Sequence, residues 1–304
     1  MTDSTAFSAP VEGGALAGTL WHAGAAGPPV LGLSGITANH RSYAGLAARL
    51  DRPLLAVDQR GRGRSRDLPP PFSLVRHADD SARALDAAGI DRAVVVGHSM
   101  GAFVATRLAE RHPDRVLGLV LVDGGLPLRP PPVDASPEEL LGPAIERLRM
   151  SFDSSDAYRR FWREHPAFGP YWNEVIEDYV DYDLQPIDGA LRPSANPDAV
   201  LANLVELDGR DGYEEAVLGL ERRGCPRVLL TSPRGLFDAA PALYDDAWLA
   251  SWTARLPGLR VEAVPDTNHY TILLGAGVDA VARAVEALAA ESDPSPTPEP
   301  EVHA

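Results

Sequence analysis

The run Val94-Val95-Val96-Gly97-His98-Ser99-Met100-Gly101 constrains the fold more than any other stretch of this chain. Its consecutive valines are apolar and β-branched, and they read as a strand buried on both faces. Residues 101–111, directly after it, carry a helical pattern. Between the two stands Gly-x-Ser-x-Gly, centred on Ser99. A serine in a sharp strand-to-helix turn projects its hydroxyl above the sheet edge. Glycines two positions to either side avoid clashes with the neighbouring backbone. The amide that follows, that of Met100, then sits at a helix N-terminus and can donate to a developing oxyanion. The bland alternative is a chance match in a Gly-rich loop; the strand before and the helix after weigh against it.

The same rhythm extends along the chain. Short apolar runs at 30–34, 54–58, 93–97, 117–123, 227–232 and 260–264 end in polar or Gly punctuation and read as buried parallel strands. Helical patterns lie between them at 42–50, 77–88, 101–111, 246–256 and 277–290. This alternation predicts an α/β fold with a doubly wound, mostly parallel sheet and right-handed crossovers. Residues 11–21 are expected to add an antiparallel edge.

The rhythm breaks between Leu126 and Arg223. Pro127, Pro130, Pro131 and Pro132 mark the exit, and Pro166, Pro170, Pro186, Pro193 and Pro197 divide a helical pattern into short pieces. The expected organisation is a flexible N-terminus (1–10), a core (11–126 and 224–290), a helical cap inserted over the sheet (127–223), and a Pro- and Glu-rich disordered tail (291–304). Between Asp134 and Arg222 there are 20 acidic and 8 basic residues, so most of the net charge of −15 falls in the insertion. Its aromatics, including Phe152, Trp162, Phe168, Trp172 and Tyr179, fit an apolar substrate pocket or the insertion's own small core equally well.

That negative balance argues against nucleic acid as a partner, since phosphate binding needs clustered positive charge. All 28 basic residues other than histidine are Arg. The single cysteine, Cys225, excludes an internal disulfide and a Cys-based metal cluster. No run approaches the roughly 18–20 apolar residues of a membrane span, and Met1–Pro10 lacks a signal-peptide pattern. A cytoplasmic protein acting on a small molecule, without membrane partner, is expected.

These motifs resemble the α/β-hydrolase superfamily, in the branch with a serine nucleophile and a helical cap. Leu31-Gly32-Leu33-Ser34-Gly35-Ile36 looks like the family's strand-end His-Gly loop, with Ser34 in place of the usual His. The resemblance implies the Ile36 amide as a second oxyanion donor beside Met100. Asp58-Gln59-Arg60-Gly61-Arg62-Gly63-Arg64-Ser65 is similar to the family's D-x-R-G-x-G-x-S loop, which is structural there. A serine hydroxyl needs a base, and in this fold the triad runs Ser, acid, His along the chain. His22, His40, His77 and His112 come too early, and His98 sits on the turn beside Ser99. His165 lies in the insertion and His303 in the tail. That leaves His269, after the last strand, as the base, the alternative being a surface or capping histidine. For the acid, the family position points to Asp238, with Asp123 as runner-up; Asp245 and Asp246 read as helix caps.

A serine excludes the dehalogenase and epoxide hydrolase relatives, which need a carboxylate there. The resemblance implies hydrolysis of a carboxylic ester, lactone or thioester of a small to medium, neutral, mostly apolar substrate, with no metal or organic cofactor. Carbon–carbon bond hydrolysis or aminopeptidase action on the same triad is the first alternative, and a non-catalytic ligand-binding protein the second. If His269 is the base, activity falls on acidification, because only the neutral imidazole can accept a proton.

Overall fold

In the computed structural model, residues 3–130 and 144–292 are described. The sheet contains β1 (Ser4–Val11), β2 (Gly14–Trp21), β3 (Val30–Leu33), β4 (Leu54–Val57), β5 (Ala93–His98), β6 (Val116–Val122), β9 (Arg227–Thr231) and β10 (Arg260–Ala263). Their spatial order is β1-β2-β4-β3-β5-β6-β9-β10. β1 and β2 run antiparallel to their neighbours, while the pairs from β4 to β10 are parallel. β3, β4 and β5 are buried along their whole length, as continuous apolar runs require when helices cover both faces.

One face carries α2 (Leu74–Ala87) and α3 (Met100–Arg111), with Leu85, Phe103 and Leu108 in its core. The other carries the short α1 (Ala44–Ala47) and the C-terminal helix Val278–Ser292, through Tyr43, Leu46, Val281 and Leu288. The doubly wound α/β sheet is therefore as expected.

Three boundaries differ from the sequence reading. Residues 4–10, expected to be flexible, form most of β1: a hairpin turn at Glu12–Gly13, with Gly13 at φ +88°, returns the chain along β2 and satisfies the strand's backbone groups. β10 is exposed rather than buried, because it is the sheet's last strand and pairs only with β9. The C-terminal helix continues through Glu291 and Ser292; residues 293–304 lie outside the described part, as do Pro131 and Pro132.

Between β6 and β9 the chain forms helices α4 (Ser155–Glu164), α5 (Glu174–Asp183), α6 (Pro197–Leu204) and α7 (Tyr213–Arg222), with a hairpin of β7 (Leu184–Ile187) and β8 (Ala190–Pro193) that the sequence reading did not foresee. Most of the insertion's aromatics serve its own core: Tyr158, Trp162, Phe168 and Tyr179 are buried together, with Phe152, Phe161 and Trp172 packed around them. This cluster also takes in Ala38, Tyr270 and Leu274 from loops at the carboxyl edge of the sheet, and Phe168 lies 4.5 Å from Tyr270, ring centre to ring centre.

Candidate active site

β5 ends at His98, and the chain reverses at Ser99 into α3. Ser99 has φ +54° and ψ −125°, a conformation costly for any residue with a Cβ. The surroundings leave no other path. A Cβ on Gly97 would lie 2.4 Å from the Gly101 carbonyl oxygen, and one on Gly101 only 1.8 Å from that of Leu33. Gly124, after β6, abuts the Ser99 carbonyl so closely that its Cβ would be 2.3 Å away. The Ser99 amide donates to the Val122 carbonyl at 2.9 Å, fixing the turn against the end of β6.

The residue one step beyond β6 is Asp123, itself at φ +43°. Its Oδ2 lies 2.7 Å from His269 Nδ1, with Asp123 1% and His269 4% exposed. Ser232, at the end of β9, donates its hydroxyl to Oδ2 at 2.9 Å and its amide to Oδ1 at 3.2 Å. With Nδ1–H donated to a carboxylate, the His269 Nε2 is left as the proton acceptor. The loop behind Asp123 is held by Tyr213, which donates to the Gly125 carbonyl at 2.7 Å, and by Tyr244, which donates to that of Leu126 at 2.8 Å.

Asp238, the first choice for the acid, does not touch His269. Its Oδ1 accepts from Arg234 Nε at 2.7 Å and from Asn268 Nδ2 at 3.0 Å, and its Oδ2 from the Tyr171 hydroxyl at 2.9 Å. The reason is local. The strand end on which the usual acid would stand carries Ser232, which turns toward Asp123, while the loop beyond it folds Asp238 back onto Arg234. Burial would raise the Asp238 carboxyl, but the bonds from Asn268, Tyr171 and Arg234 hold it below its ordinary value. Asp245 does act as a cap, accepting from the Trp248 amide at 2.8 Å.

His98, passed over in the sequence, proves part of the site's frame. Its Nε2–H donates to the His269 carbonyl at 2.7 Å, and the two rings lie 4.9 Å apart, centre to centre. His269 is thereby tied to the residue next to Ser99. Burial, and then the neighbouring His269, push the His98 pKa down to about 3, so it stays a neutral donor. Asn268 completes the frame: its Oδ1 accepts from the Tyr270 and Thr271 amides, and its Nδ2 reaches Ala167 in the insertion as well as Asp238. A histidine directly after a glycine and an asparagine in a turn carry no sequence signal for either task.

Ile36, on the loop after β3, and Met100, at the first position of α3, are the two residues expected to supply oxyanion amides. Among the described residues neither amide donates to another group. A cleft of about 180 Å³ beside His269 is lined by Gly235, Leu236, Pro241, Ala242 and Leu243. Among the described residues no group of three His, Cys, Asp or Glu side chains could hold a metal ion, and no helix is long and apolar enough to cross a membrane.

A family model described as the alpha/beta hydrolase fold matches residues 28–173. The sheet, the turn at Ser99 and that match, which takes in just under half of the chain, give the protein the α/β-hydrolase fold. A "Putative carbamate hydrolase RutD" of Caulobacter vibrioides is 47% identical over 73 residues, 24% of this chain. The match spans only 27% of that protein's length. A 2-(acetamidomethylene)succinate hydrolase of Mesorhizobium japonicum is 29% identical over 249 residues, covering 80% of this chain and 82% of that one. The crystal structure of an E-2-(acetamidomethylene)succinate hydrolase superposes with a TM-score of 0.74 at 23% identity, over 93% of this chain and 99% of that one, a likeness of fold.

Proposed function

We propose that this chain is a serine hydrolase that cleaves a carboxylic ester, lactone or thioester of a small to medium, neutral, mostly apolar substrate. The observation that carries the reading is the buried His269–Asp123 pair, 2.7 Å apart, beside the strained turn of Ser99. Ser99 Oγ attacks the acyl carbonyl while His269 Nε2 takes its proton, and Asp123 holds the imidazole tautomer and stabilises the imidazolium. The Ile36 and Met100 amides donate to the oxyanion. His269 then returns the proton to the leaving group. In the second half-reaction it activates the water that releases the acid from the acyl-enzyme. The apolar lining by Leu236, Pro241 and Leu243 favours a neutral acyl chain, and the acidic insertion disfavours polyanionic substrates.

Acyl cleavage at a carbon–nitrogen bond is a second reading, favoured by the relatives named as carbamate and acetamidomethylene succinate hydrolases. A matched panel of p-nitrophenyl esters, carbamates and anilides separates the two. Labelling by an alkyl fluorophosphonate tests both. Wild type should become modified at Ser99 and Ser99→Ala should not; a wild type that neither reacts nor turns over any panel member sinks the serine-hydrolase reading.

A further inference from the structure

Arg62 is wholly buried, yet among the described residues no carboxylate lies within ion-pairing distance of it. Its neighbours Arg60 and Arg64 are provided for differently: Arg60 pairs with Asp80 at 2.9 Å, and Arg64 stacks on Tyr182 with its guanidinium carbon 5.0 Å from the ring centre. Arg62 instead reaches backbone carbonyls. Nε donates to Ile36 O at 3.0 Å, Nη1 to Arg60 O at 3.0 Å, and Nη2 to Ala199 O at 3.3 Å; Nη2 also contacts Met100 Sδ at 3.7 Å.

Among the described residues, the titratable group against it is His77, whose Nε2 is 3.4 Å from Nη1. That nitrogen is already engaged with Asn203 Oδ1 at 3.0 Å. Asn203 Nδ2 donates to the Phe72 carbonyl, which fixes Oδ1 as the acceptor and puts the His77 proton on Nε2. Burial and then the Arg62 charge press the His77 pKa down to about 3, so His77 is neutral and offers no counter-charge. Burial alone lowers Arg62 to about 9, which leaves it a cation at neutral pH.

An unpaired buried charge is costly, and such groups persist where function uses them. Arg62 touches both residues whose amides are proposed to form the oxyanion hole: the carbonyl of Ile36 and the side chain of Met100. We infer that Arg62 is a positioning residue that also lends its charge to the oxyanion, the negative charge of the tetrahedral intermediate being the counter-ion this guanidinium lacks in the resting protein. The inference rests on the serine-hydrolase reading and adds to it a third source of transition-state stabilisation. In a low-dielectric interior, a fixed charge of this kind needs no reorganisation as the oxyanion forms.

The test compares R62Q, which removes the charge and keeps a donor, with R62K, which keeps the charge. Each is assayed on a p-nitrophenyl ester and titrated with an alkylboronic acid, whose serine adduct is a tetrahedral anion. R62Q should lose about 10- to 100-fold in kcat with KM changed less than about threefold, and boronate affinity should fall by a similar factor. R62K should recover at least half of that loss on a logarithmic scale. R62Q with wild-type kcat and boronate affinity overturns the inference, as does an R62K no better than R62Q. R62M keeps the buried volume and replaces R62Q in the comparison if the glutamine variant does not melt cooperatively. Failure of the wild type itself to bind boronate or react at Ser99 would instead refute the hydrolase reading beneath.

Discussion

At the scale of single residues, Asp123 and Asp238 divide two tasks that the sequence could not separate. Both follow a strand, and both have positive φ, 43° and 58°. Only the contacts distinguish them: Asp123 meets the His269 ring, whereas Asp238 meets Arg234, Asn268 and Tyr171. Asp123→Asn should reverse the tautomer preference of His269 and lower kcat by about 10³–10⁴-fold. Asp238→Asn leaves the base's carboxylate intact and should cost no more than about tenfold. Steady-state kinetics of the two variants on one ester decides the assignment. The pH profile is a second check. If a single neutral imidazole serves as the general base, log kcat/KM should drop on the acid side with a slope of one. His98, pushed down to about 3, adds no second proton to that limb above pH 4; a limb of slope two there would contradict its placement as a permanently neutral donor.

At the scale of elements, the turn at Ser99 was legible because three constraints fall on consecutive letters: valines for a buried strand, glycines for close backbone approach, and a helix to follow. The turn is correspondingly intolerant. Gly101→Ala would drive a methyl into the Leu33 carbonyl, 1.8 Å from its ideal position, and should destabilise the protein by about 3 kcal/mol or more, read from a denaturant midpoint. The carboxylate that meets His269 was not legible in the same way. Which of two loops reaches His269 depends on where β6 and β9 end relative to one another, a register in which Val122 opposes Leu230 and brings Asp123 beside Ser232. No local pattern encodes that register. Nor does one reveal β1, whose Ser-Thr-Ala-Phe-Ser-Ala-Pro-Val sequence has weak strand propensity and gains its order by pairing along all eight residues with β2. The insertion's hairpin was hidden for a similar reason, since Pro186 and Pro193 punctuate it as they would a helix boundary.

At the scale of the whole molecule, a buried polar knot joins sheet, loop and insertion. Asp58 Oδ1 lies 2.9 Å from His40 Nδ1, Asp58 Oδ2 accepts from the Tyr182 hydroxyl at 2.7 Å, and His40 Nε2 is 2.9 Å from Thr19 Oγ1. Burial would raise the Asp58 carboxyl, but the His40 ring beside it and the bonds from His40 and Tyr182 together bring it below its ordinary value. A carboxylate depressed in the folded state contributes stability above its unfolded pKa of about 3.9, and that stability is lost as pH falls through the lower, folded value. Chemical denaturation of the wild type should therefore show stability declining below about pH 4. Asp58→Asn should be less stable at pH 7 by about 3 kcal/mol, with a shallower decline in acid; parallel curves for the two proteins would remove Asp58 from this role.

The link from Tyr171 through Asp238 to Asn268 carries a mechanical consequence. Asn268 adjoins His269, while Tyr171 belongs to the insertion, and one carboxylate grips both. Any outward swing of that part of the insertion must therefore either snap this grip or tug the imidazole's own loop along with it.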